Sequence, residues 1–159
     1  MVMISSGLAE LIERGGVYRN IKGNTPRDVL TAIIGALPPI PSVAAEKLLN
    51  AVLEREALMP TGIGGGIAIP HPRNPLVESD NEKFTALVFL ENPINWNSLD
   101  GAPVDTLFLI VSASAKQHLQ TLSEITFFCR QEDFCRLLKR RAPLEEILKF
   151  IVEAEKNWK

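Results

Sequence analysis

Cysteine and histidine are both scarce in this sequence, with two residues of each among 159. Cys129 and Cys135 form neither a C-x-x-C pair nor a zinc-binding pattern, and both lie in an apolar, helix-like context. They are interpreted as reduced core thiols, for which the reducing cytoplasm is the simplest compartment. The histidines, His71 and His118, are far apart in sequence and have no cysteine or carboxylate beside them at ligand spacing. We therefore expect neither a metal nor any other cofactor.

Long apolar runs and an excess of basic residues are absent as well. The longest apolar stretches, such as Phe84–Leu90 and Thr106–Val111, fall far short of the roughly 20 residues that a membrane span needs. We expect no direct insertion into a membrane. The net charge is −2, and the only basic run, Lys139-Arg140-Arg141, suits the last turn of a helix. A nucleic-acid partner is therefore not expected.

What the sequence does contain is typical of one globular α/β domain, which we expect to span residues 1–159. Apolar residues recur at helical spacing near residues 5–14, 26–37, 42–58, 116–128, 131–140 and 144–158. Thr25-Pro26 is a strong helix start, and Ser42 is expected to cap the next helix. Short β-branched or apolar runs at residues 67–69, 85–90 and 105–112 predict strands, with a further candidate at 92–97 and a turn at Asp100-Gly101. The pattern predicts a sandwich with a central mixed β-sheet flanked by helices.

The segment from Thr61 to Arg73 reads T-G-I-G-G-G-I-A-I-P-H-P-R. Its glycines do not make a dinucleotide fingerprint, because position 67 is isoleucine and the residues that follow resemble a strand, not a helix. They are expected to allow tight turns and a close approach of the backbone to a partner or a phosphate. The strand ends at His71, which two prolines hold in place and which we expect to be exposed. Imidazole is neutral and nucleophilic near pH 7, which suits phosphoryl transfer.

Taken singly, each candidate residue also has an ordinary structural interpretation. His71 could merely end a strand in a loop, and His118 could be a surface histidine in the first turn of a helix. Arg55, in the run Glu54-Arg55-Glu56, could be a solvated helix end. Residue type and spacing alone leave these alternatives open.

The combination of stretches resembles the signature of a known family. The matching stretches are Arg55, T-G-I-G, G-I-A-I-P-H ending at His71, L-D-G-A-P-V-D from Leu99 to Asp105, and His118-Leu119 with Leu122. They are similar to enzyme IIA domains of the mannitol/fructose class of the bacterial phosphoenolpyruvate-dependent phosphotransferase system, which includes a nitrogen-regulatory branch. The likeness runs from about residue 5 to about residue 155. The resemblance implies that His71 accepts a phosphoryl group and that His118 and Arg55 assist.

The resemblance also implies the partners. The donor would be the histidine-containing phosphocarrier protein, and the downstream partner would be a IIB protein or a regulatory target protein.

Backbone N–H groups of Gly64, Gly65 and Gly66 are expected to support the phosphoryl group, with Arg73 as an outer contact. The regulatory branch is favoured. A sugar-specific IIA that passes the group to a IIB cysteine, and a non-catalytic binding module of the same fold, are the alternatives. Pro72 and Met59-Pro60 depart from the family pattern and stiffen the loop.

Overall fold

The computed structural model describes residues 7–156. Over that range the chain forms six α-helices, five strands and one short 3-10 turn, Asp80–Glu82. The helices are α1 Leu8–Gly15, α2 Pro26–Ala36, α3 Ala45–Leu58, α4 Ala115–Cys129, α5 Glu132–Lys139 and α6 Leu144–Lys156. The strands are β1 Val17–Ile21, β2 Gly62–Gly64, β3 Ile67–Ala68, β4 Phe84–Ile94 and β5 Val104–Val111.

The five strands form one mixed sheet in the order β1-β4-β5-β3-β2. The central pair, β4 and β5, is antiparallel, whereas β1 pairs parallel with β4 and β3 pairs parallel with β5. A tight antiparallel connection joins β2 to β3 at the edge. The predicted central mixed sheet flanked by helices is confirmed.

Side chains of the central strands alternate between two apolar cores, as the two-residue period of a strand requires. Val88 and Leu109 belong to the core beneath α2 and α3. Phe89 and Phe108 belong to the core that contains residues of α1, α4, α5 and α6. Helices thus cover both faces of the sheet, which explains why the sequences of β4 and β5 are nearly continuous apolar runs.

Of the two helix caps predicted from the sequence, Thr25 and Ser42, the structure contains one. Thr25 does cap α2, because its Oγ1 accepts the N–H of Asp28 at 3.1 Å. The prediction for Ser42 was wrong, since α3 begins at Ala45 and Ala44 is its N-cap residue. The N–H and hydroxyl of Ser42 instead donate to the carboxylate of Glu82, at 2.9 and 2.8 Å. The Ser42 hydroxyl, which was expected to cap α3, therefore donates to a carboxylate that is distant in sequence.

Two edge strands were not predicted. β1 contains polar residues in V-Y-R-N-I, and β2 consists of Gly-Ile-Gly. β4 is longer than predicted and takes in the first part of the 92–97 candidate, while β3 ends one residue earlier than predicted. The turn at Asp100-Gly101 is present, with the N–H of Gly101 donating to the carbonyl of Ser98 at 3.0 Å.

The remaining helices lie close to their predicted positions. Residues 5–6 and 157–158 of the predicted first and last helices lie outside the described range. Lys139 is in the last turn of α5, as predicted for the basic run. Cys129 and Cys135 are free thiols and half-buried, and burial raises the pKa of Cys129 to about 12. No helix within residues 7–156 is both long and apolar enough to cross a membrane.

Candidate phosphoryl-transfer site

Sheet topology brings the two histidines together. Because β3 and β5 are parallel, their carboxyl ends lie at the same edge of the sheet. His71 follows β3, and His118 lies in the first turn of α4, which follows β5. Their ring centroids are 4.6 Å apart, with an interplanar angle of 51°. The carboxyl ends of parallel strands are the usual ligand-binding edge of an α/β sheet.

The start of α4 is fixed by side-chain caps, which hold His118 in place. The Oγ of Ser114 accepts the N–H of Gln117 at 3.2 Å, and the Oε1 of Gln117 accepts the N–H of Ala113 at 3.0 Å. This exchange resembles a capping box. The ring of His118 is half-buried, and burial lowers its pKa, with a further lowering from the charge of Arg55.

His71 is buried, with 6% of its surface exposed, so the prediction of an exposed histidine was wrong. The backbone after β3 stays paired to the sheet, because the carbonyl of Pro70 accepts the N–H of Ile110 at 3.1 Å. Pro70 and Pro72 are buried too. The sequence pattern predicts a histidine at the exposed end of a strand. In the structure the backbone continues to pair with β5, and the ring of His118 covers the imidazole of His71.

One hydrogen bond assigns the tautomer of the neutral His71 ring. Nδ1 lies 2.7 Å from the carbonyl oxygen of Ile69. Because a carbonyl can only accept, Nδ1 carries the proton and donates, and the lone pair of the neutral ring is on Nε2.

Burial keeps His71 neutral at physiological pH. It lowers the pKa of His71 from 6.5 to about 4, against the hydrogen bond to Ile69, which raises it. The nearby His118 and Arg55 lower it further by smaller amounts. A neutral imidazole with a free Nε2 is the form that attacks an electrophile.

Arg55 completes the group of residues that the sequence singled out. It lies in the last turn of α3, half-buried, and its Nη1 donates to the carbonyl of Met59 at 2.6 Å. Its charge acts on the pKa of both His71 and His118. The bond to Met59 uses one of five guanidinium N–H groups, and a guanidinium is able to bind an anion through its other donors.

The glycine run is not at this edge of the sheet. Gly64, Gly65 and Gly66 have φ angles of 97°, 66° and 83° and form the turn that precedes β3, whereas His71 follows β3. The chain from Gly66 to His71 runs along β5 from Asp105 to Ile110, and at about 3.3 Å per residue it separates the turn from His71 by on the order of 15 Å. The N–H of Gly65 donates to Oδ2 of Asp100 at 3.0 Å. The structure therefore does not bring these glycines to the histidines.

Arg73 is exposed, two residues beyond His71. The charged or polar side chains that act on the pKa of His71 are His118 and Arg55. Within residues 7–156, no three or more histidine, cysteine, aspartate or glutamate side chains come together as metal ligands.

Sequence reasoning missed a carboxylate beside Arg55. Glu56 accepts hydrogen bonds from the N–H of Thr61 at 2.7 Å, the hydroxyl of Thr61 at 2.7 Å and Nε1 of Trp96 at 2.8 Å. Its one local signal is an acidic residue in the last turn of a helix, where the helix dipole disfavours it. The partner Trp96 is 40 residues away, and no local pattern predicts that pairing.

Solved structures with the same fold include a nitrogen regulatory protein IIA-Ntr from Neisseria meningitidis. That chain is 23% identical, with a TM-score of 0.77 and coverage of 90% of this chain and 97% of its own. Enzyme IIAMTL from Escherichia coli, solved in complex with phosphorylated enzyme IIBMTL, gives a TM-score of 0.65 at 18% identity, covering 88% of this chain and 95% of its own. At these identities the likeness defines the fold class, that of phosphotransferase-system IIA domains.

The sequence itself then gives the family. The chain belongs to the family described as phosphoenolpyruvate-dependent sugar phosphotransferase system, EIIA 2, which matches residues 10–154. A nitrogen regulatory protein from Klebsiella oxytoca is 37% identical over 131 residues, or 77% of this chain and 80% of the relative. The resemblance stated from the sequence motifs is confirmed.

Proposed function

We propose that this chain is a phosphocarrier that accepts a phosphoryl group on Nε2 of His71 from the histidine-containing phosphocarrier protein. The observation that carries the proposal is the buried, neutral His71, with Nδ1–H held by Ile69 and with His118 packed against it. Transfer requires the lone pair of Nε2 to attack phosphorus while the bond from phosphorus to the donor's histidine nitrogen breaks. The donor ring, protonated on its other nitrogen, leaves as a neutral imidazole, while His71 keeps the proton on Nδ1 and gains the phosphoryl group on Nε2.

Arg55 and His118 would stabilise the charge on the transferred group. Phosphoryl transfer depends mainly on in-line positioning and on donors directed at the equatorial oxygens. The guanidinium of Arg55 offers a fork of donors that matches those oxygens. His118 can donate from an imidazole N–H at the start of α4, where the helix dipole favours an anion.

The surroundings of the site suit a transient protein donor. Met59, which binds Arg55 through its carbonyl, is 65% exposed, and Leu119, next to His118, is 66% exposed. Exposed apolar side chains beside a buried polar centre are typical of a surface that another protein covers. The phosphorylated histidine of the donor would approach His71 beside these side chains.

We favour a regulatory role for the phosphorylated form, since relatives named nitrogen regulatory proteins include the one that is 37% identical. A modified His71 would change the charge presented to a target protein. The alternative is a sugar-transport role, in which the group passes to a cysteine of a IIB protein. Its support is the fold shared with enzyme IIAMTL, solved in complex with phosphorylated enzyme IIBMTL.

The test is phosphorylation of the purified protein by phosphoenolpyruvate, enzyme I and the phosphocarrier protein, followed by intact mass. The unmodified protein should gain one phosphoryl group, and His71→Ala should gain none while remaining folded. If the unmodified protein gains nothing, the chain is a binding module of the same fold. Undiminished, acid-labile phosphorylation of His71→Ala would assign the acceptor elsewhere. Loss of the group on mixing with a IIB protein would favour the transport role.

A further inference from the structure

The carboxylate of Glu56 connects three parts of the chain near the candidate site. Glu56 lies in the last turn of α3, Thr61 begins the segment that forms β2, and Trp96 lies in the connection from β4 to β5. Two buried residues supply the three donors to this carboxylate. Thr61 is 4% exposed and Trp96 is 1% exposed. A negative charge at a helix carboxyl end is unfavourable by itself. The three short bonds offset that cost and clamp the elements together.

The clamp restrains the backbone that anchors Arg55. Residues 59–61 connect α3 to β2, and Glu56 holds the far end of this connection through Thr61. Arg55 binds the near end through the carbonyl of Met59, at 2.6 Å. The orientation of the guanidinium therefore depends on a carbonyl whose position Glu56 restrains.

The same clamp leads to the nucleophile by a short chain of hydrogen bonds. The carbonyl of Thr61 accepts the N–H of Ile69 at 3.0 Å, and the carbonyl of Ile69 accepts Nδ1–H of His71 at 2.7 Å. The Ile69 carbonyl fixes the tautomer that leaves Nε2 free. Glu56 thus restrains Arg55 through one end of the connection and the backbone beneath His71 through the other.

We infer that Glu56 is a positioning residue for phosphoryl transfer, which aligns Arg55 with His71 by clamping Thr61 and Trp96. This inference rests on the proposed function, in which His71 is the acceptor. Glu56 touches neither the donor nor the phosphoryl group. Its contribution should appear in the rate of the transfer step and in the state of the His71 ring.

The test compares Glu56→Ala, Glu56→Gln and the control Glu54→Ala in single-turnover transfer from the phosphorylated phosphocarrier protein. Glu54 is an exposed carboxylate two residues earlier in the same helix, so its removal deletes the same charge. A misplacement of about 1 Å can cost on the order of 10²-fold in rate, and we expect Glu56→Ala to slow the first-order step by that order. The donor concentration at half-saturation should change little. Glu54→Ala should transfer at the rate of the unmodified protein.

Glu56→Gln separates positioning from charge. The amide oxygen can accept from the N–H of Thr61 and from Trp96, and the amide NH₂ can donate to the rotated hydroxyl of Thr61. We therefore expect Glu56→Gln to restore transfer to nearly the unmodified rate. Nitrogen-15 spectra of the His71 ring provide a second readout. Nδ1 should be the protonated nitrogen in the unmodified protein and in Glu56→Gln, with mixed tautomers in Glu56→Ala.

Two results would overturn the inference. The first is transfer by Glu56→Ala at the rate of Glu54→Ala, and the second is a Glu56→Gln variant as slow as Glu56→Ala. If Glu56→Ala does not fold, Thr61→Val decides, because it removes one donor to the carboxylate and conserves shape. It should slow transfer severalfold, and an unchanged rate would refute the clamp. Failure of the proposed function is distinguishable, since the unmodified protein would then accept no phosphoryl group at all.

Discussion

Acidification should weaken the native state through His71, because burial keeps that imidazole neutral. The pKa of His71 is lowered from 6.5 to about 4 in the folded protein. Between those values the unfolded chain binds the proton and the native state does not, so the free energy of unfolding falls as the pH falls. The contribution of neutral His71 to the free energy of unfolding is fully present above about pH 6.5 and is lost progressively towards about pH 4.

The size of the effect follows from the same two values. Each unit of pKa difference corresponds to about 1.4 kcal/mol, which sets an upper limit of ~3.5 kcal/mol for His71. Water at the mouth of the site screens part of this, and we expect about 2 kcal/mol. The assay is urea unfolding of the unmodified protein and of His71→Gln at a series of pH values from about 7.5 to about 4.5. Glutamine does not titrate, so the difference between the two proteins isolates the imidazole.

His118→Gln serves as the matched control, because that ring is only half-buried and its contribution to the pH dependence should be smaller. The stability of the unmodified protein should fall towards that of His71→Gln, or below it, as the pH decreases. If the two stability curves run parallel across this range, His71 is not held neutral by the fold, and the electrostatic account of the nucleophile is wrong.

Two further predictions concern the helpers and the packing. Arg55→Ala and His118→Ala should fold but transfer more slowly, by on the order of 10²–10³ for each lost donor; quench-flow rates equal to that of the unmodified protein would contradict their roles. Gly15→Ala should destabilise the protein by about 1–3 kcal/mol, because a Cβ there would lie 2.1 Å from a carbonyl oxygen of β4. Gly35→Ala, in a helix with open space around it, should instead stabilise by about 0.5–1 kcal/mol. Thermal unfolding of the two glycine variants checks the pair, and equal effects would contradict it.

The sequence was sufficient for elements whose pattern depends on local chemistry or on burial of both faces. β4 and β5 could be predicted because each contains an uninterrupted apolar run, Ala86–Leu90 and Leu107–Val111, and α2 because Thr25 and Pro26 mark its start. β1 could not, since its residues mix polar and apolar types and its pairing with β4 is a long-range choice. The Ser42 prediction failed for the same reason, because Glu82 is 40 residues away.

For the candidate site, residue identities were easier to predict than environments. The motifs pointed to Arg55, His71 and His118, and the parallel pairing of β3 with β5 explains why the histidines meet. Burial of His71 depends on how its backbone continues along β5, which no local pattern encodes. The role of Glu56 was hidden because a carboxylate at a helix end looks solvated until its tertiary donors are known.

The central claim is that Nε2 of His71 accepts the phosphoryl group. The most direct measurement is a proton–nitrogen correlation spectrum of the imidazole rings, recorded on nitrogen-15-labelled protein after phosphorylation by phosphoenolpyruvate, enzyme I and the phosphocarrier protein. The hydrogen bond from Nδ1 to Ile69 predicts a phosphohistidine at position 71 modified on Nε2, with Nδ1 still protonated and His118 unmodified. Phosphorylation on Nδ1 of His71, or on His118, would contradict the account.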